Sequence, residues 1–528
     1  MAWIERLRHD FGNHTIGARN VNDGPGVIPL TSALYDSEGM RALDAAGMAL
    51  PEIAPGELME RAGAALLAAV RAHWPEVRRL GILCGPGNNG GDGYVLARLA
   101  AQAGLDVRLH GGPSRARPES DGRQAHRRWI EHGGAMAPLE AFDPADAELW
   151  VDCLFGIGLE RPLHDAYGEV VERLNASGRR VLAADIPSGV NADTGAVPGP
   201  AVRARHTVTM IADKLGLHTG AGVDYAGTVE VARLDLPEQI ARGVMPRARH
   251  LGPEDWQDRL PARRPGAHKG NAGHVLVVGG APGFSGAARL TALAALRAGA
   301  GRVTLATHED HAAWANADRP EIMVRAVREP TDLLRLARQV DVIAAGPGLG
   351  TEEWGRRLWH AVADAGVPLV VDADALNLLA ATPRQMDSWI LTPHPGEAGR
   401  LLNRPAAEVE ANRPAAVLEL AQRFGGVSLL KGAGTLVADA DPGVEVGPLS
   451  CVTGGHAGMA VPGSGDVLTG IIVALRAQGL EARAAAEIGA AWHCAAGRVL
   501  RARLGSWRGL LAGELADALP AAAGEEGV

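Results

Sequence analysis

Apolar residues along the chain follow two rhythms: short continuous runs, and longer stretches in which they return every third or fourth position. LYDSEGMRALDAAGMALP reads as a capped helix, and GELMERAGAALLAAVRAHWP as a second with Leu58, Ala62, Leu66 and Val70 on one face. LGILCG then gives a strand, GPGNNGG a loop, and DGYVLARLAAQAG a helix that leads to the strand DVRLHG. ELWVDCLFGIG, RRVLAADIPSG and HTVTMIA continue the series. Short strands alternating with helical spans predict a mostly parallel sheet covered on both faces.

The pattern fades after VARLDLP into LGPEDWQDRLPARRPGAHKG, where Pro, Gly and charge concentrate. A second series runs from GHVLVVGG through SGAARLTALAALRAGAG, VTLAT, VDVIAAGPG, PLVVDAD, WILTPHPGE and VSLLKGAG to the helical DVLTGIIVALRAQG. The chain therefore reads as an extension over 1–33, an α/β domain over 34–240, a linker over 241–265, a longer α/β domain over 266–520 and a tail over 521–528. Neither half repeats the other.

Composition constrains the cores and the partners. With 47% hydrophobic but only 4% aromatic residues, the interior must be built from small aliphatic side chains. A formal charge of -9, without long same-sign blocks, excludes a nucleic-acid-binding class and points to small-molecule ligands. No uninterrupted run of 18 apolar residues occurs, so no membrane partner is expected. Cys84, Cys153, Cys451 and Cys494 lack CxxC spacing, which argues against a zinc site and a disulfide-built scaffold and fits a cytoplasmic protein. Only Lys214, Lys269 and Lys431 are lysine among 52 Lys+Arg residues, and each lies beside a glycine-rich or loop-like segment. They are candidates for positions that want a compact ammonium.

Gly85-Pro86-Gly87-Asn88-Asn89-Gly90-Gly91-Asp92-Gly93 falls between a strand and a helix, where open backbone N–H groups receive an anion. It is neither GxGxxG nor a Walker loop. Asn88 and Asn89 offer amide groups to a ribose, a phosphate neighbour or a hard cation, while Asp92 can cap the following helix. In an open parallel sheet the strand ends converge on one crevice. Asn89, Asp152 and Ser188 can thus supply oxygens to one cation while Asp185 meets the ligand. Asp92 and Asp185 read equally as acid/base groups or as caps.

GPGNNGGDG, DCLFGIGLERP, DIPSG and DKLGLHTGAG together resemble the NAD(P)H-hydrate epimerase family over about residues 34–235. The resemblance implies a Rossmann-like three-layer α/β/α domain that interconverts the R and S epimers of hydrated NADH or NADPH. It implies K+ on Asn89, Asp152 and Ser188, and substrate contacts from Asn88, Asn89, Gly90, Gly91, Asp92, Gly156, Ile157, Gly158, Leu159, Glu160, Arg161, Pro162 and Asp185. Asp185 is then the catalytic acid/base, and Lys214 a candidate phosphate contact.

In the second half, Pro462-Gly463-Ser464-Gly465-Asp466 precedes an apolar helix whose N-terminus complements phosphate. Asp466 there can accept a hydroxyl proton in a phosphoryl transfer, or simply cap the helix. Lys431 follows an apolar strand in LLKGAGT, and GPGLG, DADALN and TPHPGE place Gly and polar residues at other strand ends.

HKGNAGHVLVVGG, SGAARLTALAALRAGAG, GPGLG, DADALN, LTPHPGE, LLKGAGT and GSGDVLTG resemble the ADP/ATP-dependent NAD(P)H-hydrate dehydratase family across about residues 250–520. The resemblance implies a ribokinase-like α/β fold, with ADP and Mg2+ as cofactors. It maps nucleotide contacts to Lys431, Gly432, Ala433, Gly434, Thr435 and Gly465, and hydrate contacts to Ala287, Gly350, His394 and Asp466, with Asp466 catalytic. The combined expectation is a two-domain repair enzyme acting on hydrated NADH/NADPH with ADP, assembled as a homo-oligomer. The alternative is a ribokinase-like small-metabolite kinase with an accessory nucleotide-binding domain.

Overall fold

The computed structural model describes residues 28–111, 120–159, 161–440 and 449–524. Glu160, most of the 1–33 extension and the end of the 521–528 tail lie outside the described residues. The chain divides into two compact units, Met1–Arg249 and His250–Val528.

In the first unit, six parallel strands form one sheet in the order Asp106–Gly111, Arg79–Cys84, Leu149–Cys153, Arg180–Ala184, His206–Met210 and Thr228–Ala232. The strand order reverses direction between Arg79–Cys84 and Leu149–Cys153, which makes this the topological switch point. Helix Glu57–His73 carries acids in its first turn and Arg71 and His73 in its last, complementing the helix dipole. Its apolar face buries Ala62, Leu66 and Val70 with Leu80, Ile82, Val151 and Val208 of the sheet. The opposite sheet face buries Trp150, Val181, Val171 and Leu174.

Helix Asn88–Gln102 starts four residues before the predicted Asp92, with Gly87 as its N-cap. GPGNNGG is thus a loop only as far as Gly87, and Asp92 caps nothing. Two adjacent glycines disfavour a helix on propensity alone. Here packing requires them: a Cβ on Gly90 would sit 2.1 Å from the Gly85 carbonyl oxygen.

In the second unit the sheet order is Met323–Ala326, Arg302–Thr307, His274–Val278, Val342–Ala345, Leu369–Val371, Trp389–Leu391 and Val427–Leu430, all parallel. Thr435–Asp439 and Leu449–Val452 then extend it antiparallel. Helices Ser285–Arg297 and Ser464–Ala477 cross so closely that a Cβ on Gly470 would lie 2.4 Å from the Thr291 carbonyl. The interior is dominated by Ala, Val, Leu and Ile, with Trp256, Trp359, Trp389, Phe424 and Trp492 as buried aromatic exceptions. Among the described residues no helix is long and apolar enough to cross a membrane.

Candidate active sites

A cavity of about 600 Å³ opens at the switch point of the first unit. The segments after three strands wall it: Asn88, Asn89 and Asp92 from the start of helix Asn88–Gln102, then Gly156, Ile157, Gly158 and Leu159, then Asp185. Asp185 directly follows strand Arg180–Ala184 in the left-handed region, at φ 67°, a strained conformation for a side-chain-bearing residue. Its N–H donates to the Val208 carbonyl at 2.8 Å, while the next N–H, of Ile186, donates to the Ala184 carbonyl. The turn thereby aims the carboxylate into the cavity.

Asp185 Oδ1 accepts from the Lys214 ammonium at 2.7 Å and from the Met210 N–H at 3.1 Å. Lys214 is fully buried and also donates to Thr209 Oγ1 at 2.7 Å and toward the Met210 and Ala212 carbonyls. The expected phosphate contact by Lys214 is therefore corrected: its donors are engaged inside the protein, and it orients Asp185. Burial, then the charges of Asp185 and Asp44, push the Asp92 carboxyl well above the ordinary carboxylate range. Burial, then Asp185 and Asp121, raise Asp44 in the same cavity.

Asp152 has no exposed surface. Its Oδ1 accepts from Ser188 Oγ at 2.7 Å and the Leu154 N–H at 3.1 Å, and its Oδ2 from the Ser188 N–H at 2.8 Å. Burial nevertheless pushes it up to about 6. Asn89 is buried nearby with its amide Nδ2 unpartnered. Gly156 packs against both Asp185 and Asn89: a Cβ there would lie 3.3 Å from Asp185 Oδ2 and 3.6 Å from Asn89 Cγ. Gly90 and Gly91 lie buried, against the Gly85 carbonyl and Met59 respectively, while Arg161 is exposed and Pro162 half-buried.

In the second unit, Asp466 is the third residue of helix Ser464–Ala477, whose N-cap Gly463 adopts φ 89°. It too is a helix residue and not the cap. Burial, then the charge of Asp372, push its carboxyl up to about 7 against the pull of Lys431. Lys431 Nζ donates to Asp372 Oδ1 at 2.7 Å and lies 3.7 Å from Glu397 Oε2. Thr469 Oγ1 donates to the other Asp372 oxygen at 2.7 Å. Burial opposes the charge on Lys431, yet Asp372 and Glu397 outweigh it and raise the ammonium's pKa.

A Cβ on Gly465 would lie 3.3 Å from Lys431 Nζ, so the glycine keeps the space before the ammonium open. Gly432, at φ 138°, and Gly434, at φ 59°, shape the turn from Lys431 to Thr435, and Thr435 Oγ1 donates to the Gly432 carbonyl. Ala433 is exposed in that turn. Buried Arg413 donates to the Leu430 and Lys431 carbonyls at 3.2 Å each and fixes its start. The Thr291 hydroxyl lies 3.1 Å from both the Ala287 and Asp466 carbonyls, bringing Ala287 to the same helix start. The Gly350 N–H donates to Asp374 Oδ2 at 2.9 Å.

His394 caps helix Pro395–Leu402, with Nδ1 accepting from the Gly396 N–H at 3.0 Å, and its other nitrogen lies 3.5 Å from Glu397 Oε1. Burial, then Lys431, lower its pKa.

Sequence reasoning missed Asp44 and Asp121 in the first unit, and Asp372, Asp374, Glu397, Thr469 and His493 in the second. Burial lowers His493 to about 4, and its Nε2 lies 3.2 Å from Ser464 Oγ. The His-x-x-Glu spacing at 394–397 is a capping-box signal that could have flagged Glu397.

Residues 275–521 match the family model described as NAD(P)H-hydrate dehydratase, and residues 55–216 match the model described as YjeF-related protein N-terminus. The bifunctional NAD(P)H-hydrate repair enzyme Nnr of Coxiella burnetii is 42% identical over 485 residues, covering 92% of this chain and 98% of its own. The chain belongs to the bifunctional NAD(P)H-hydrate repair enzyme family. The Escherichia coli member of this repair-enzyme family is 42% identical over 463 residues, 88% of each chain. A solved ADP/ATP-dependent NAD(P)H-hydrate dehydratase from Bacillus subtilis, co-crystallized with ATP/Mg2+, is 30% identical and covers 51% of this chain and 95% of its own, with a TM-score of 0.45. Along the chain the YjeF-related match comes first and the dehydratase match second.

Proposed function

We propose that the first unit epimerises the R and S hydrates of NADH and NADPH, and that the second dehydrates the S epimer using ADP, releasing NAD(P)H, AMP and phosphate. The observation that carries the reading is the pairing, in each unit, of a lysine, buried at 214 and half-buried at 431, with a carboxylate beside a second carboxyl whose pKa is raised. These are Lys214 with Asp185 beside Asp92, and Lys431 with Asp372 beside Asp466. Such pairs separate acid and base roles within one site.

In the first unit burial, with the charges of Asp185 and Asp44, raises the proton affinity of Asp92, which suits it to hand a proton to the departing C6 hydroxyl. Asp185, oriented by Lys214, faces the positive charge that develops on the ring; when water returns to either face, Asp185 takes its proton and passes it on to Asp92, which restores both groups. The oxygens of Asp152, Ser188 and, with its amide turned over, Asn89 are the donors that would hold K+, and the unpartnered Asn89 amide supports the reading. A cation there would offset the burial that raises Asp152. It would supply a fixed positive charge beneath the cavity.

In the second unit Asp466 removes the C6 hydroxyl proton as that oxygen forms a bond to the terminal phosphorus of ADP and the bond to AMP breaks. The C6–O bond then breaks, phosphate leaves, and loss of a neighbouring ring proton restores the dihydronicotinamide. The space before Lys431 and the glycine-fronted helix N-terminus fit a polyphosphate, and would hold ADP from Lys431 through Thr435 and at Gly465. Mg2+ accompanying the nucleotide would neutralise charge on its phosphates.

Two substitutions test the assignment. Asp466→Asn is expected to abolish dehydration and leave epimer exchange intact, and Asp185→Asn to do the reverse. Loss of both activities in either soluble variant contradicts a division of labour between the units.

A further inference from the structure

Away from the cavity, three side chains of the first unit converge toward the other end of its sheet. His206 opens strand His206–Met210, Glu230 lies in the neighbouring strand Thr228–Ala232, and His73 ends helix Glu57–His73. In the parallel register His206 pairs with Thr228 and Val208 with Glu230, so His206, Val208 and Glu230 share one face. Val208 packs in the core that contains Leu66 and Val70 of the helix, which brings the last helical turn over that face. Nε2 of His206 lies 2.9 Å, and Nε2 of His73 3.1 Å, from the same oxygen, Glu230 Oε2. The two imidazole rings lie 4.1 Å apart between centroids.

We propose that His73, His206 and Glu230 form a binding site for a divalent cation of the zinc class, separate from both catalytic sites. One ligand atom from each residue falls within 4.8 Å of the others, and two imidazoles with one carboxylate form a donor set suited to zinc. Ligand bonds of about 2.0–2.2 Å imply tetrahedral ligand spacings of about 3.3 Å. The two spacings to Glu230 Oε2 need widen by only a few tenths of an ångström when a metal takes the place of the shared protons. The His73 side chain is 39% exposed against 8% for His206, so ions and a water ligand enter from the His73 side. Cysteine spacing has no bearing on this site, which uses no thiolate.

The site ties together two elements that also wall the cavity. Helix Glu57–His73 contributes Leu58, Met59 and Ala62 to it, and strand His206–Met210 contributes Met210, whose N–H holds Asp185. His206 and Met210 are about 13 Å apart along the strand, so the cation would brace the wall without touching substrate.

The test uses the full chain stripped with a chelator, titrated with Zn2+ by calorimetry and with Co2+ by visible absorption, against His73→Ala and Glu230→Gln. The proposal expects one Zn2+ per chain, the absorption of low-coordinate Co2+, and a rise in unfolding temperature with Zn2+. It expects each variant to bind at least ~10-fold more weakly while unfolding near the wild-type temperature in chelator. Absence of stoichiometric binding to the wild type overturns it, as does unchanged affinity in both variants. A wild-type unfolding temperature that responds to pH but not to metal assigns the cluster to a plain His–Glu–His ion pair, and overturns it equally.

Discussion

Replacing Asp466 by Asn removes a charge from the second unit and leaves the side-chain shape. The carboxyl lies at about 7 in place of its ordinary 3.8. At about 1.4 kcal/mol per tenfold change in proton affinity, ionising it in the folded unit costs about 4 kcal/mol. The folded state binds this proton more tightly than the unfolded chain. Wild-type stability therefore falls as pH rises from about 4 toward 7, and the full cost is present above 7. Asn escapes that cost, but its NH2 group arrives in a site built for a carboxyl, which offsets about 1–3 kcal/mol. The expected net gain at pH 8 is about 1–3 kcal/mol. That raises the unfolding temperature of the second unit by about 2–4 °C per kcal/mol. Calorimetric unfolding of ligand-free protein at pH 8 and pH 5 measures it. The gain should be larger at pH 8, in a variant whose dehydration has fallen about 10²–10⁴-fold. A variant less stable than wild type at pH 8, or equally favoured at both pH values, refutes the assigned electrostatics.

Lys214→Met strips Asp185 of its ammonium and leaves the Met210 N–H; epimer exchange followed by NMR should fall by about 10² or more with dehydration unchanged. Gly465→Ala places a methyl group 3.3 Å from Lys431 Nζ, and steady-state kinetics should show a raised KM for ADP with epimer exchange intact. The dehydration rate at saturating ADP should rise with pH and level off above about 7, because Asp466 must be unprotonated to act as base; a rate that falls over this range contradicts that role. Ser188→Ala removes the hydroxyl bonded to Asp152 and should abolish the response of epimer exchange to KCl over choline chloride.

Residues that stand at strand ends were legible in the sequence. Asn89, Asp152, Asp185 and Ser188 follow or close short apolar runs in one parallel sheet, and such ends converge on the switch point. Lys431, Gly465 and Asp466 were legible for the same reason in the second unit, through glycines that leave room for an anion. The start of helix Asn88–Gln102 was not, because local propensity counts Gly90 and Gly91 against a helix, whereas contact of Gly90 with the Gly85 carbonyl and of Gly91 with Met59 requires them. Lys214 stands in the sequence only as a candidate phosphate contact, since nothing local shows that Asp185 pairs with it. Asp44 lies on helix Ser37–Met48, where an acid among polar positions looks like part of a solvated face. Only the fold, burying it and bringing it near Asp185 and Asp121, raises its pKa.

The central claim is that one chain couples epimerisation to ADP-dependent removal of water. Separated R and S hydrates of NADH, given to the purified protein with ADP, Mg2+ and K+, test it directly when both epimers and AMP are followed in time. The account predicts that both hydrates are consumed to NADH, with one AMP formed per NADH. With Asp185→Asn, the S hydrate alone should react at the wild-type rate, while the R hydrate persists. Consumption of the R hydrate at an unchanged rate in that variant, or NADH formation without AMP, would contradict the account.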